Sequence, residues 1–115
     1  MGGLNPILPT GRLKQRRHSR FPADLALQVN AMRGTRVEPG TGRVLDVSEG
    51  GLAFVGTRYL PPGTVVNVEI GDCRLMGDVR HCRMREYASH VQFVTGVRIQ
   101  QILDGQESWK RLLRG

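Results

Sequence analysis

The sequence predicts an all-β fold: a small six-stranded antiparallel β-barrel, with a flexible basic N-terminal arm before it and a short C-terminal α-helix after it. Three observations carry this expectation. Apolar and polar residues alternate with period two in several separate stretches, as they do in half-buried strands. Turn residues part these stretches at intervals of roughly 8–12 positions, the spacing of a small barrel or sandwich. Fifteen glycines and six prolines in 115 residues favour many turns over long helices. A chain of this length supports one domain with one modest core, and 39% hydrophobic residues suffice to fill it.

The elements follow in order. Residues 1–14 read as the arm, broken repeatedly by Asn5-Pro6, Leu8-Pro9 and Thr10-Gly11. A basic run, Gln15-Arg16-Arg17-His18-Ser19-Arg20, leads to Phe21-Pro22, where proline pushes the residue before it towards extended backbone. Leu25, Leu27, Val29 and Ala31 then mark one face of a first strand. Glu38-Pro39-Gly40-Thr41-Gly42 reads as a turn cluster, followed by a strand over residues 43–47 with Leu45 and Val47 inward. Asp46 lies on the opposite face, with Val44 and Ser48. Leu52 and Phe54 mark the inner face of a third strand, and Pro61-Pro62-Gly63 the next turn.

Val66, Val68 and Ile70 define the fourth strand, and Gly71-Asp72 a two-residue hairpin. From Cys73 to Arg83 the pattern places Cys73, Leu75, Gly77, Val79 and His81 on one face, so His81 is expected to be partly buried. Residues 85–89 read as a polar loop. Val91 to Ile99 forms the last strand, with a bulge expected at Thr95-Gly96. Asp104 and Glu107 read as a helix-opening capping box. Trp109, Leu112 and Leu113 sit at helical spacing, Trp109 serving as the anchor, and Glu107 can pair with Arg111. The expected divisions are thus an arm over 1–14, a barrel over 15–103 and a helix over 104–115.

The charge balance is +7, and fifteen of the seventeen cations are arginine. Arginine presents a planar fork that meets phosphate or a guanine edge bidentately, which lysine does not. An anionic partner is therefore expected: a nucleotide, a nucleic acid or a membrane surface. Two cysteines make no disulfide framework, the first residues lack the pattern of a signal peptide, and no apolar run reaches membrane-spanning length. A cytoplasmic protein is the expectation.

The barrel makes a specific prediction about the basic run. If the second strand returns antiparallel along the first, its end lies where the first began. Asp46-Val47-Ser48-Glu49-Gly50-Gly51 would then neighbour Arg16 to Arg20. Alone, Asp46-Val47-Ser48 is compatible with an Asx turn, and the arginine run with a solvated tail.

Arg16-x-x-x-Arg20 and Asp46-x-Ser48-x-x-Gly51, in this order and about thirty residues apart, resemble the motifs of the PilZ domain family. The resemblance continues through Gly51-Leu52-Ala53-Phe54, Pro62-Gly63, Val79-Arg80-His81-Cys82-Arg83 and Gly96-Val97-Arg98-Ile99, covering roughly residues 12–103. It implies a barrel that binds cyclic di-GMP, a bacterial second messenger with two phosphodiesters and two guanines. It also implies that Arg16 and Arg20 clamp phosphate and guanine edges, with Arg17 as an extra cation. Asp46 would accept N–H bonds from a guanine, Ser48 would bond beside it, and Gly51 would let the backbone turn or approach closely. The position occupied by Gln15 is associated in the family with whether one or two ligands bind, and glutamine does not decide it.

The resemblance implies a receptor with no enzyme activity and no cofactor beyond this ligand. Its output must pass through an unidentified effector protein, through ligand-linked homodimerisation or through movement of the arm. Two other readings stand beside it. One is an adaptor of the same fold acting by protein contacts alone. The other is a nucleic-acid-binding barrel, which a chain with only 5% aromatic residues suits poorly. His81, His90, Cys73 and Cys82 lack the paired spacing of a zinc site, and no catalytic triad or phosphate-cradling glycine loop stands out.

Overall fold

A computed structural model describes residues 20–114. Among these residues the strands are β1 (Phe21–Pro22), β2 (Ala26–Arg33), β3 (Arg36–Ser48), β4 (Gly51–Gly56), β5 (Val65–Ile70), β6 (Cys73–Tyr87) and β7 (His90–Asp104). One helix, α1 (Gln106–Leu112), follows them. Every pairing is antiparallel. The order β3-β2-β5-β6-β7-β4 closes on itself through β4 and β3, giving the expected six-stranded barrel. The seventh strand, β1, adds to β3 at Val47 and Asp46, just past the point where β2 ends its pairing at Arg43. Since β4 holds the other edge of β3 there, β1 continues the line of β2.

The interior is filled by alternate residues of each strand. Leu27, Val29 and Ala31 come from β2, Val66, Val68 and Ile70 from β5, and Cys73, Leu75 and Val79 from β6. Leu52 and Phe54 enter from β4 and Val97 from β7. Leu75 is wholly buried, and its truncation to alanine would cost about 2–5 kcal/mol through lost transfer energy and the cavity left. Leu25, expected inward, lies just before β2 and is 38% exposed.

Four local expectations are corrected. First, Glu38 to Gly42 is strand, and the β2–β3 turn lies at Gly34-Thr35, with Gly34 at φ +63°. Pro39 is tolerated because β4 does not reach it, so its missing N–H faces a free edge. The guanidinium of Arg58 donates to the Pro39 carbonyl on that same edge, at 2.6 Å. Second, β3 bulges between Val44 and Asp46. The extra residue is Leu45, which leaves the core, and Val44 takes the inward place. Third, residues 85–87 extend β6, and the connection to β7 is only Ala88-Ser89, at φ +51° and +69°. Fourth, the bulge expected at Thr95-Gly96 is on the facing strand: Val79 opposes Val97 and His81 opposes Gly96, leaving Arg80 as the extra residue of β6.

The helix starts differently from the capping-box expectation. Gly105 at φ +75° is the cap, and a Cβ there would strike the backbone of Asp72 and Cys73. Asp104 Oδ1 accepts from the Gly105 N–H at 3.0 Å. Glu107 pairs with Lys110, not Arg111, whose guanidinium donates to Ser108 Oγ at 3.0 Å. Trp109 is buried in the main core cluster, as expected of an anchor, and Ser108 Oγ donates to Asp72 Oδ1 at 2.5 Å. A helix of this length is unstable alone, so these contacts hold it. No helix among the described residues is long and apolar enough to cross a membrane.

Candidate functional site

The β1–β3 pairing carries the basic run to the Asp-Ser-Gly stretch. Phe21 opposes Val47 and Pro22 opposes Asp46, so Arg20 emerges beside the end of β3. Its Nε and Nη2 both meet Asp46 Oδ1, at 2.8 and 2.7 Å. The expected meeting of the two stretches is thus found at Arg20 and Asp46. Arg16 and Arg17, the other expected arginines, lie outside the described residues, as do Arg12, Lys14 and Gln15. The Arg20 and Asp46 side chains are 51% and 31% exposed, so the pair contributes only about 0.2–1 kcal/mol to stability. Its exposure leaves both groups open to a ligand.

Ser48 is placed otherwise than Asp46. It is only 3% exposed, and its Oγ donates to the Gly51 carbonyl at 3.3 Å, across the turn that joins β3 to β4. Gly51 owes its identity to a neighbour in the barrel: a Cβ there would meet the Val97 carbonyl oxygen of β7. Asp46, Ser48 and Gly51 therefore lie on one stretch, with Asp46 half-exposed and the other two setting the backbone behind it.

Two open troughs meet at this point. One, of about 510 Å³, runs past Ser48, Gly51, Arg80 and Arg98. The other, of about 570 Å³, runs past Asp46, Arg83 and Arg85. Arg20 and His81 line both. The face is strongly cationic. Arg98 is engaged by Asp78 at 3.2 Å, whereas Arg80 and Arg83 make no ion pair among the described residues.

His81 is exposed, contrary to the expectation of a partly buried histidine. The bulge at Arg80 reverses the alternation of β6, so Cys82 turns inward in its place. The Cys82 sulfur accepts from the Leu60 N–H at 3.4 Å and shares a hydrogen bond with Thr95 Oγ1 at 3.2 Å. Period-two reading carried through Arg80 missed Arg80, His81, Arg83 and Arg98 as lining residues. The signals available in the sequence were the Arg80-His81-Cys82-Arg83 basic run and Gly96, whose missing side chain makes room for His81.

The described residues hold no group of three or more His, Cys, Asp and Glu side chains suited to a metal ion. Burial, with smaller effects from Asp72 and Asp104, pushes the Cys73 thiol up from its ordinary value. It stays protonated inside the core, far from the chemistry of a nucleophile.

The family model for the PilZ domain matches residues 14–114. The chain belongs to the PilZ domain family. Solved structures similar to this PilZ chain include the PilZ domain of YcgR from Escherichia coli with c-di-GMP, at TM-score 0.61 and 15% identity over 87% of each chain. The K. pneumonia MrkH–c-di-GMP complex is similar at TM-score 0.59 and 14% identity, over 86% of this chain and 49% of that one. The Bacillus subtilis inhibitor of motility MotI/DgrA is similar at TM-score 0.56 and 16% identity, over 86% and 48%. This PilZ chain thus spans about half the length of the latter two, and at these identities the likeness is one of fold. No curated protein matches the sequence significantly.

Proposed function

We propose that this PilZ domain is a cyclic di-GMP receptor that carries the signal to a partner protein and performs no chemistry on the ligand. The observation that supports it most is the meeting of Arg20 with Asp46 at the junction of two cationic troughs. The chemistry is complementary. A guanine offers O6 and N7 as paired acceptors, which an arginine fork meets together. An ionised Asp46 is acceptor-only and suits the N–H groups of the opposite guanine edge. The ligand's phosphodiesters suit Arg16, Arg17, Arg20 and Arg80, which makes no ion pair among the described residues. Ser48 and Gly51 hold the turn on which Asp46 is presented. Binding exchanges the Arg20–Asp46 pair for ligand contacts, and the arm ahead of Arg20 closes over the ligand, changing the surface offered to an effector.

Isothermal titration with cyclic di-GMP tests this reading. The wild type is expected to bind, and Arg16→Ala, Arg20→Ala and Asp46→Ala each to weaken binding by about 10- to 100-fold, the loss of one bidentate base contact. A flat titration of correctly folded wild type at about 50 µM protein and excess ligand, a concentration chosen to reveal affinities near −6 kcal/mol, removes the receptor reading.

A further inference from the structure

His81 has no assigned role in the family motifs noted above, and its placement is specific. It is exposed on β6, and the distal atoms of its ring occupy the space a Cβ at Gly96 would take. The bulge at Arg80 turns it outward, and the bare Gly96 backbone of β7 supports it. It makes no hydrogen bond among the described residues. Of all residues that line the two troughs, it alone carries an aromatic ring, and it borders both.

These facts match one need of a guanine-bearing ligand. Arginine and aspartate meet the edges of a base, and neither edge contact covers its flat face. A ring fixed on a rigid strand does so at small entropic cost, because its position is set before the ligand arrives. An exposed imidazole with no polar partner among the described residues, held over a glycine, is what remains to cover that face. We infer that His81, seated over Gly96, is the surface on which a guanine of the bound ligand stacks. The inference rests on the receptor reading and adds the residue that recognises the base as a flat aromatic group. The arginine and aspartate contacts then set its edge.

The experiment is titration of the full chain with cyclic di-GMP for wild type, His81→Ala, His81→Phe and His81→Gln. Base stacking on a ring predicts a loss of about 5- to 100-fold in His81→Ala. It predicts affinity within about threefold of wild type in His81→Phe, and a loss in His81→Gln as large as in His81→Ala. Retention in His81→Gln with loss in His81→Phe means hydrogen bonding and overturns stacking. Equal affinity in all four overturns any role for the side chain. Failure of the wild type to bind sinks the receptor reading itself, a separate outcome.

Gly96→Ala supplies the second arm. The nearest atoms to its new Cβ are those of the His81 ring, the far end of a side chain that can move, so the barrel can keep its fold while the ring is displaced. The substitution is expected to weaken binding in wild type and to have no further effect in a His81→Ala background. Additive losses in the double variant, measured on proteins of equal melting temperature, contradict the proposed support.

Discussion

Ser48 and Asp46 sit two positions apart and differ in what they hold. Ser48 Oγ donates to a carbonyl in a site closed to solvent, while Asp46 shares an exposed ion pair with Arg20. One buried hydrogen bond contributes about 0.5–1.5 kcal/mol, and an exposed pair about 0.2–1 kcal/mol. Ser48→Ala is therefore expected to lower the unliganded stability by about 0.5–1.5 kcal/mol, and Arg20→Ala by no more than about 1 kcal/mol. Urea unfolding of both variants checks this. Equal midpoints for wild type and Ser48→Ala would show that the hydroxyl serves the ligand alone. On the proposed receptor reading the motif residues divide accordingly: Arg20 and Asp46 would meet the ligand, and Ser48 and Gly51 shape the turn that presents Asp46.

At the scale of elements, the strands most legible in the sequence are those without bulges. β5 alternates cleanly, and its inward set of Val66, Val68 and Ile70 is the one expected. The barrel class was legible for the same reason, as was the return of β3 to the segment just before β2. Bulges hid the rest. An extra residue at Leu45 or Arg80 reverses every later side chain on the strand, and alternation alone carries no mark of where that happens. Leu45 and His81 were misplaced for this single reason. The β2–β3 turn was misplaced because Pro39 and its glycine neighbours look like punctuation, and whether Pro39 sits on a free edge depends on how far the next strand, β4, reaches.

Two elements yield predictions of their own. Ala88 and Ser89 both have positive φ in the two-residue connection of β6 and β7, where neither residue is comfortable. Replacing the pair with Ala88→Asn and Ser89→Gly supplies the residues such turns favour and should stabilise the fold by about 0.5–1 kcal/mol. A lower urea midpoint in the double variant would contradict it. At the other end of the barrel, the Ser108 hydroxyl holds the Asp72 carboxyl below its ordinary value of 3.8, opposed in part by burial. A depressed carboxyl favours the folded state above its unfolded value, and this contribution fades as pH falls through the lower folded value. Acid titration followed by Trp109 fluorescence should show α1 loosening at higher pH in Ser108→Ala than in wild type. Coincident acid curves would mean that Asp72 does not tether the helix.

For the whole molecule, the question is how a barrel without a second domain among its described residues registers a bound ligand. Its core is closed and well filled, so the barrel itself has little freedom to change shape. The freedom lies where β1 joins β3 through only two residue pairs, with Arg20 resting on Asp46 just before them. On the receptor reading proposed above, a ligand that took over both side chains and also engaged Arg16 and Arg17 would tie the arm to the barrel, an added contact absent from the unfolded chain. Ligand at about 100 times its dissociation constant then stabilises the native state by about 2.7 kcal/mol. For a domain of this size that raises the melting temperature by roughly 10–20 °C. The increase should shrink in Arg20→Ala and Asp46→Ala at the same ligand concentration, while their unliganded melting temperatures stay near that of wild type. A fold that works as an adaptor alone shows no increase with cyclic di-GMP in any variant. A barrel that merely attracts anions shows equal increases with cyclic di-GMP and with GTP, both abolished by moderate salt, because screened charge cannot tell one guanine nucleotide from another. Only a receptor whose arginine forks, aspartate and ring read the guanines keeps a difference between the two ligands when the salt is raised.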